Sequence, residues 1–247
     1  MNLNYFASGK RSHYLHLLVL VCAFIFMLVG CSVRYSATGI PEGFLALIGD
    51  DDLIGWHRSL TTHHGLSGHF FIEEGAIVLR QHPFGQGGIL LSDQRFKDFE
   101  LRFEFKGDPG TNGGLLFRSA ESGTAYQLEL VGDGGKGTGA FFGEMLKVEK
   151  TVPAPDLSHI WKKGDWNSFG LRVMGDKPNT QLWINGKLIW QHQMERNDLM
   201  GGISEGMIGL QLHWSSTLLP IPGGSCCGYS WKPEAAHRYR NLFIKAL

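Results

Sequence analysis

The stretch from Asp98 to Lys106 sets the strongest limit on what this chain can fold into. Phe99, Leu101, Phe103 and Phe105 alternate with Glu100, Arg102, Glu104 and Lys106. Successive side chains of a β-strand point to opposite faces, so this alternation describes a strand with one buried face and one wet face, as in an antiparallel sheet. Asp108-Pro109-Gly110 then turns the chain. Shorter strands are expected at Leu115–Arg118, Tyr126–Val131, Phe169–Met174, Met207–His213 and Tyr239–Lys245. Gln181–Ile184 and Lys187–Trp190 flank Asn185-Gly186, a pair suited to the positive φ angles of a type I′ hairpin turn. His69–Arg80 reads as a hairpin around Glu74-Gly75, and Gly132–Gly139 as a glycine-rich turn region. After Cys31 no long stretch carries a helical period, and Gly is abundant at 34 residues. Many short strands joined by turns predict an all-β, two-sheet antiparallel sandwich, with a curved sheet leaving a concave polar face.

The N-terminal part has a different character. Lys10 and Arg11 precede an apolar run from Leu15 to Val29, which ends in Leu28-Val29-Gly30-Cys31. That pattern predicts a bacterial lipoprotein signal, with Cys31 as the lipidated first residue of the mature chain; the alternative is an uncleaved N-terminal anchor helix. The expected organisation is a signal peptide over residues 1–30, a short tether over 31–42 and one domain over 43–247. Ser32 after the anchor points to the outer membrane of the cell envelope. Formal charge is zero and only 19% of residues are charged. No basic stripe appears, so nucleic acid is not an expected partner. Cys226 and Cys227 are adjacent in a glycine-rich loop, matching no zinc spacing; oxidation to each other is the simplest expectation for them.

Several segments, in order, then resemble one family. They are Gly43-Phe44-Leu45-Ala46-Leu47 with Asp52-Leu53-Ile54-Gly55-Trp56, Asp98-Phe99-Glu100-Leu101, and Asn112-Gly113-Gly114-Leu115-Leu116-Phe117-Arg118. Tyr126-Gln127-Leu128-Glu129, Thr138-Gly139-Ala140, Trp166-Asn167, Gly209-Leu210-Gln211-Leu212-His213 and Tyr239-Arg240-Asn241-Leu242-Phe243-Ile244 continue the series. Together they are similar to the 3-keto-disaccharide hydrolase domain family, whose fold is a concanavalin A-like jelly roll. The family usually places Glu before Gln in the Tyr126 strand, whereas here Gln127 precedes Glu129, and Phe142 stands where Tyr is common. The stretch Ser215–His237 is longer than the family's.

Strand parity selects candidate site residues. Leu115, Phe117, Leu210 and Leu212 are expected to point inward, with Tyr126, Leu128 and Leu130 on one face of their strand. If the strands are neighbours, Arg118, Gln127, Glu129, Gln211 and His213 converge on the opposite face. The resemblance makes that the sugar-binding side and implies a reaction on an oxidised glycoside. A ketone at C3 acidifies the C2 proton; its removal gives an enolate that expels the C1 substituent, and adding water completes net hydrolysis. Glu129 or His213 is the expected base, the other the acid, and Arg118 the enolate's electrostatic partner. No spacing demands a metal, although a divalent ion can replace Arg118 as electrophile. Gln127, Gln211 and Trp214 are the expected substrate contacts, with Trp231 a further stacking platform. His63-His64 and His82 fall in predicted loops. An ordinary glycosidase needs two carboxylates flanking one bond, and the Tyr126 strand offers Gln127 and Glu129 instead. The alternative on the same fold is a carbohydrate-binding lipoprotein without catalysis.

Overall fold

A computed structural model describes residues 39–49, 51–134, 137–215 and 232–247. Cys31, Cys226, Cys227 and Trp231 lie outside the described residues, as does almost all of the predicted signal and tether. The compact unit runs from Gly43 to Leu247.

Two antiparallel sheets face each other, as the alternating strands predict. The strands, in chain order, are β1 (Leu45–Ala46), β2 (Trp56–Arg58), β3 (His69–Glu73), β4 (Ala76–Arg80), β5 (Gly88–Phe96), β6 (Phe99–Gly107) and β7 (Asn112–Ser119). They continue with β8 (Ala125–Val131), β9 (Phe141–Glu144), β10 (Asn167–Met174), β11 (Asn179–Ile184), β12 (Lys187–Gln193), β13 (Gly206–Leu212) and β14 (Ala236–Ala246). One sheet has the order β12-β11-β10-β6-β14-β4-β3, with β1 paired to β14; the other has β2-β5-β13-β7-β8-β9.

The alternation in β6 does what its sequence requires. Phe99, Leu101, Phe103 and Phe105 are buried, while Glu100, Arg102, Glu104 and Lys106 are only partly covered. Phe103 pairs across strands with Phe169, and their rings stack at 4.9 Å. From the other sheet Leu115, Phe117, Tyr126, Leu128, Phe141, Leu210 and Leu212 close the same core. Burying each such side chain contributes about 1.5–3 kcal/mol. Both expected hairpin turns form with positive φ: 50° and 78° at Asn185 and Gly186, 52° and 72° at Glu74 and Gly75.

Every residue of β7 and of β13 is buried, so the second face of the six-stranded sheet is covered at its centre. A smaller apolar cluster, Ile89, Leu91, Leu116, Ala125 and Met207, lies among the residues of opposite parity to the core. The β2–β3 connection supplies cover. It follows the edge of β5 through Ser59 N–H to Ile89 C=O, Gly87 N–H to His64 C=O and Gly68 N–H to Gly87 C=O. It then brings His64 over the sheet, within contact of β13 and β9.

Candidate functional site

The outward positions of β7, β8, β9 and β13 meet in one polar row. Glu129 on β8 lies opposite Gly114 on β7, which lies opposite Gln211 on β13. Gly114 matters here because a Cβ at this point would meet Gln127 Nε2 at 2.6 Å. Its bare backbone leaves the gap through which the Gln127 side chain crosses β7 to reach β13. Gln127 Nε2 donates to Glu129 Oε2 at 2.8 Å and to Gln211 Oε1 at 3.1 Å. Gln211 Nε2 donates back to Gln127 Oε1 at 3.2 Å and meets His64 Nε2 at 2.9 Å. Asn112 Nδ2 donates to the other Glu129 oxygen at 2.6 Å.

The row continues past His64. His64 Nε2 stands 3.0 Å from Glu144 Oε1, and His63 Nε2 stands 3.2 Å from the same oxygen. The His213 ring approaches the His64 ring edge-on at 5.0 Å and stacks against Trp214 at 5.8 Å. His213 Nδ1 donates to Trp214 C=O at 2.6 Å; a carbonyl only accepts, so Nδ1 carries the proton. His213 N–H is held by Asn112 C=O, so Asn112 positions both His213 and Glu129.

Burial shapes the acid–base character of this row. It pushes the Glu129 carboxyl up to about 7, against the stabilising hydrogen bonds from Asn112 and Gln127 and with help from the Glu144 charge. Burial also acts to raise Glu144. The hydrogen bond from His64 and the nearby imidazoles His63, His64 and His213 outweigh it, so Glu144 sits below its ordinary value. Burial lowers His213, opposed by its bond to the Trp214 carbonyl.

Gln127, Glu129, Gln211 and His213 therefore come together as their parity predicts, and Trp214, an expected stacking platform, lies against His213. Arg118 does not join them. Its backbone adopts φ +52°, and the β7–β13 register shifts between Met207 and Gly209. The bulge turns Arg118 away from the polar row. Its fully buried guanidinium donates to Lys97 C=O at 3.1 and 2.9 Å and to Gly175 C=O at 2.8 Å, with Asp98 at 3.4 Å. Arg118 thus ties the end of β7 to the loops before β6 and after β10 of the opposing sheet. Arg118→Met is expected to cost about 3 kcal/mol or more, because it strands buried carbonyl groups. A fall in the urea midpoint with turnover per folded molecule unchanged checks this.

Asn112, His63, His64 and Glu144 are the site residues that parity reasoning does not select. Asn112 stands in the family-like Asn-Gly-Gly segment, which is the only signal for it. Glu144 closes β9, where Phe141-Phe142-Gly143-Glu144 shows no alternation. His63 and His64 come from a loop held by long-range contacts to Gly87.

The whole unit has counterparts among known proteins. The family model for the 3-keto-alpha-glucoside-1,2-lyase-like domain matches residues 43–245. A comparison with curated proteins finds no match. Among solved structures, a candidate glycosyl hydrolase from Parabacteroides distasonis superposes with a TM-score of 0.55 at 17% identity, over 83% of this chain and 94% of that one. A glycosidic hydrolase superposes with a TM-score of 0.51 at 12% identity, over 78% of this chain and 90% of that one. A sialidase matches with a TM-score of 0.50 at 13% identity, over 79% of this chain but 17% of its own length. These structures share the two-sheet fold. With the family model spanning nearly the whole compact unit, the chain belongs to the 3-keto-alpha-glucoside-1,2-lyase-like domain family.

Proposed function

We propose that this protein cleaves 3-keto-glycosides by removing the C2 proton and eliminating the C1 substituent. The observation that carries the reading is Glu129: a carboxyl group with a value near 7, in a row of neutral amides on the covered face of the six-stranded sheet. A group so placed exchanges a proton at neutral pH in either direction. His213 supplies the complementary role. With its proton on Nδ1, the neutral ring presents the Nε2 lone pair, the form that accepts a proton from carbon. His213 thus takes the C2 proton, the electrons move to the C3 oxygen, and the C1–O bond breaks. Glu129, in its protonated form, gives its proton to the departing oxygen. The product at this stage is an unsaturated keto sugar, as expected of a lyase; conjugate addition of water at C1 completes a hydrolysis.

The carboxamides of Gln127 and Gln211 provide the neutral polar surface along which a sugar's hydroxyls and ketone are oriented. Trp214, stacked on His213, offers an amphipathic edge beside them. We place this activity at the cell envelope on the strength of the signal ending in Cys31, which lipid would anchor to the membrane.

One observation favours a second reading, a lipoprotein that binds carbohydrate without cleaving it. The displacement of Arg118 leaves the expected enolate partner outside the row. Incubation with a panel of 3-keto-glycosides and their unoxidised parents separates the two. Turnover of the keto forms alone, with release of the C1 substituent, supports the enzyme. Binding of either class with every glycosidic bond intact supports the binder.

A further inference from the structure

We propose that His63, His64 and Glu144 form a divalent metal site, for which zinc is the best-suited ion. The three ligand atoms lie within 4.8 Å of one another: two imidazole Nε2 atoms and one carboxylate oxygen. Both nitrogens converge on the same oxygen, at 3.2 and 3.0 Å. Zinc bonds to nitrogen and oxygen are about 2.0–2.2 Å long, so ligand atoms around a tetrahedral ion stand roughly 3.3–3.5 Å apart. The two nitrogen–oxygen separations here are within a few tenths of an ångström of that. Two imidazoles and one carboxylate are also the donor set of catalytic zinc sites, which keep the fourth position open.

Burial supplies a second observation. The His64 side chain is 1% exposed and that of Glu144 13%, so two of the three ligand atoms sit away from water. A buried carboxylate calls for a compensating cation, and an ion among the three atoms supplies it. His64 and Glu144 come from the two edges of the sheet, from the connection that follows β2 and from β9, and His63 is the accessible member. The fold therefore brings the ligands together before an ion arrives, which lowers the cost of binding.

The site adjoins Gln211 and His213. An ion there can polarise a sugar ketone, the electrostatic task that Arg118 does not reach. That use rests on the reaction proposed above; the binding itself does not.

The test uses the full chain in detergent, stripped with a chelator and titrated with Zn²⁺ alone by calorimetry and with Co²⁺ alone by visible absorption. One ion per chain, with Co²⁺ ligand-field bands and a raised Tm, is the expected result. His63→Ala, at an accessible position, and Glu144→Gln should each weaken Zn²⁺ binding by more than the ~10–100-fold typical of losing an outer-shell partner. Glu100→Gln, on β6 of the opposing sheet, should bind Zn²⁺ and Co²⁺ as the parent does. Absence of binding at millimolar Zn²⁺, or equal affinity in the parent and both ligand variants, overturns the site. Metal binding by a protein that leaves every 3-keto-glycoside intact overturns the reaction and keeps the site. Turnover unaffected by chelation and by both ligand variants, in a protein that binds no metal, does the reverse.

Discussion

Glu129→Gln is expected to cut turnover of 3-keto-glycosides by about 10²–10⁴-fold, the usual contribution of one positioned acid or base. The change keeps the side chain's shape and removes its proton exchange. The same variant should alter stability in the opposite sense. The Glu129 carboxyl has a value near 7 in the fold, against 4.5 for an ordinary Glu. The fold therefore holds the Glu129 proton more tightly than the unfolded chain does. The stabilisation this confers is full below pH 4.5, shrinks as pH rises from 4.5 to 7, and is absent above that. At about 1.4 kcal/mol per pH unit, the window amounts to roughly 3 kcal/mol. The variant has no such dependence, so the parent loses stability relative to it across the window. Urea titrations at several pH values, compared between variant and parent, read this difference directly. A parallel pair of stability curves would show that Glu129 ionises at its ordinary value, and would remove it from the acid role. In the parent, kcat/KM should fall as pH rises through 7, because the acid form of Glu129 is then lost.

The second large effect lies away from the site. His237 on β14 is fully buried, with its ring edge-on to Phe105 at 4.9 Å. Burial lowers it to about 3 from an ordinary 6.5, although Asp108 and a backbone bond with Thr111 pull upward, and Arg238 adds to the lowering. Here the unfolded chain takes the proton first. The stability that comes from keeping His237 neutral is complete above pH 6.5 and is lost as pH falls from 6.5 to 3. The full span corresponds to on the order of 5 kcal/mol. His237→Gln, whatever constant cost it carries, should flatten the stability profile below about pH 4.5, where Glu129 no longer offsets His237. A variant whose midpoint falls with acid as steeply as the parent's would refute the assignment.

Between pH 4.5 and 6.5 the two residues act against each other. Rising pH removes the benefit of the Glu129 proton and restores that of neutral His237. Their contributions cancel in large part, so the parent should be nearly flat where each single variant slopes. The catalytic candidate's ionisation is thereby hidden in ordinary stability measurements on the parent.

The legible and illegible parts of this fold differ for physical reasons. β6 alternates without exception, so its identity and its buried face follow from sequence, and the hairpin at Asn185-Gly186 follows from turn chemistry. Gln127, Glu129 and Gln211 were legible because regular strands preserve parity. Arg118 obeyed the same rule up to a bulge, where one residue at positive φ reverses direction, and no local pattern announced it. β9 was hidden because its Phe pair fills both faces. His63 and His64 owe their position to backbone bonds with Gly87, distant in sequence, and such pairings leave no periodic trace.

The crossing of Gln127 over Gly114 has one more consequence. A carboxamide has one donor end and one acceptor end, so neither Gln127 nor Gln211 can reverse alone without setting like against like. The pair has two coherent orientations. With Glu129 ionised, NH2 groups point toward it and on toward His64. With a carboxyl proton donated inward, both amides turn over and His64 meets an oxygen instead. Whether Glu129 carries its proton is therefore registered at His64 through two neutral side chains, with no charge moving between them. A single missing methyl, at Gly114, is what lets the message cross the sheet.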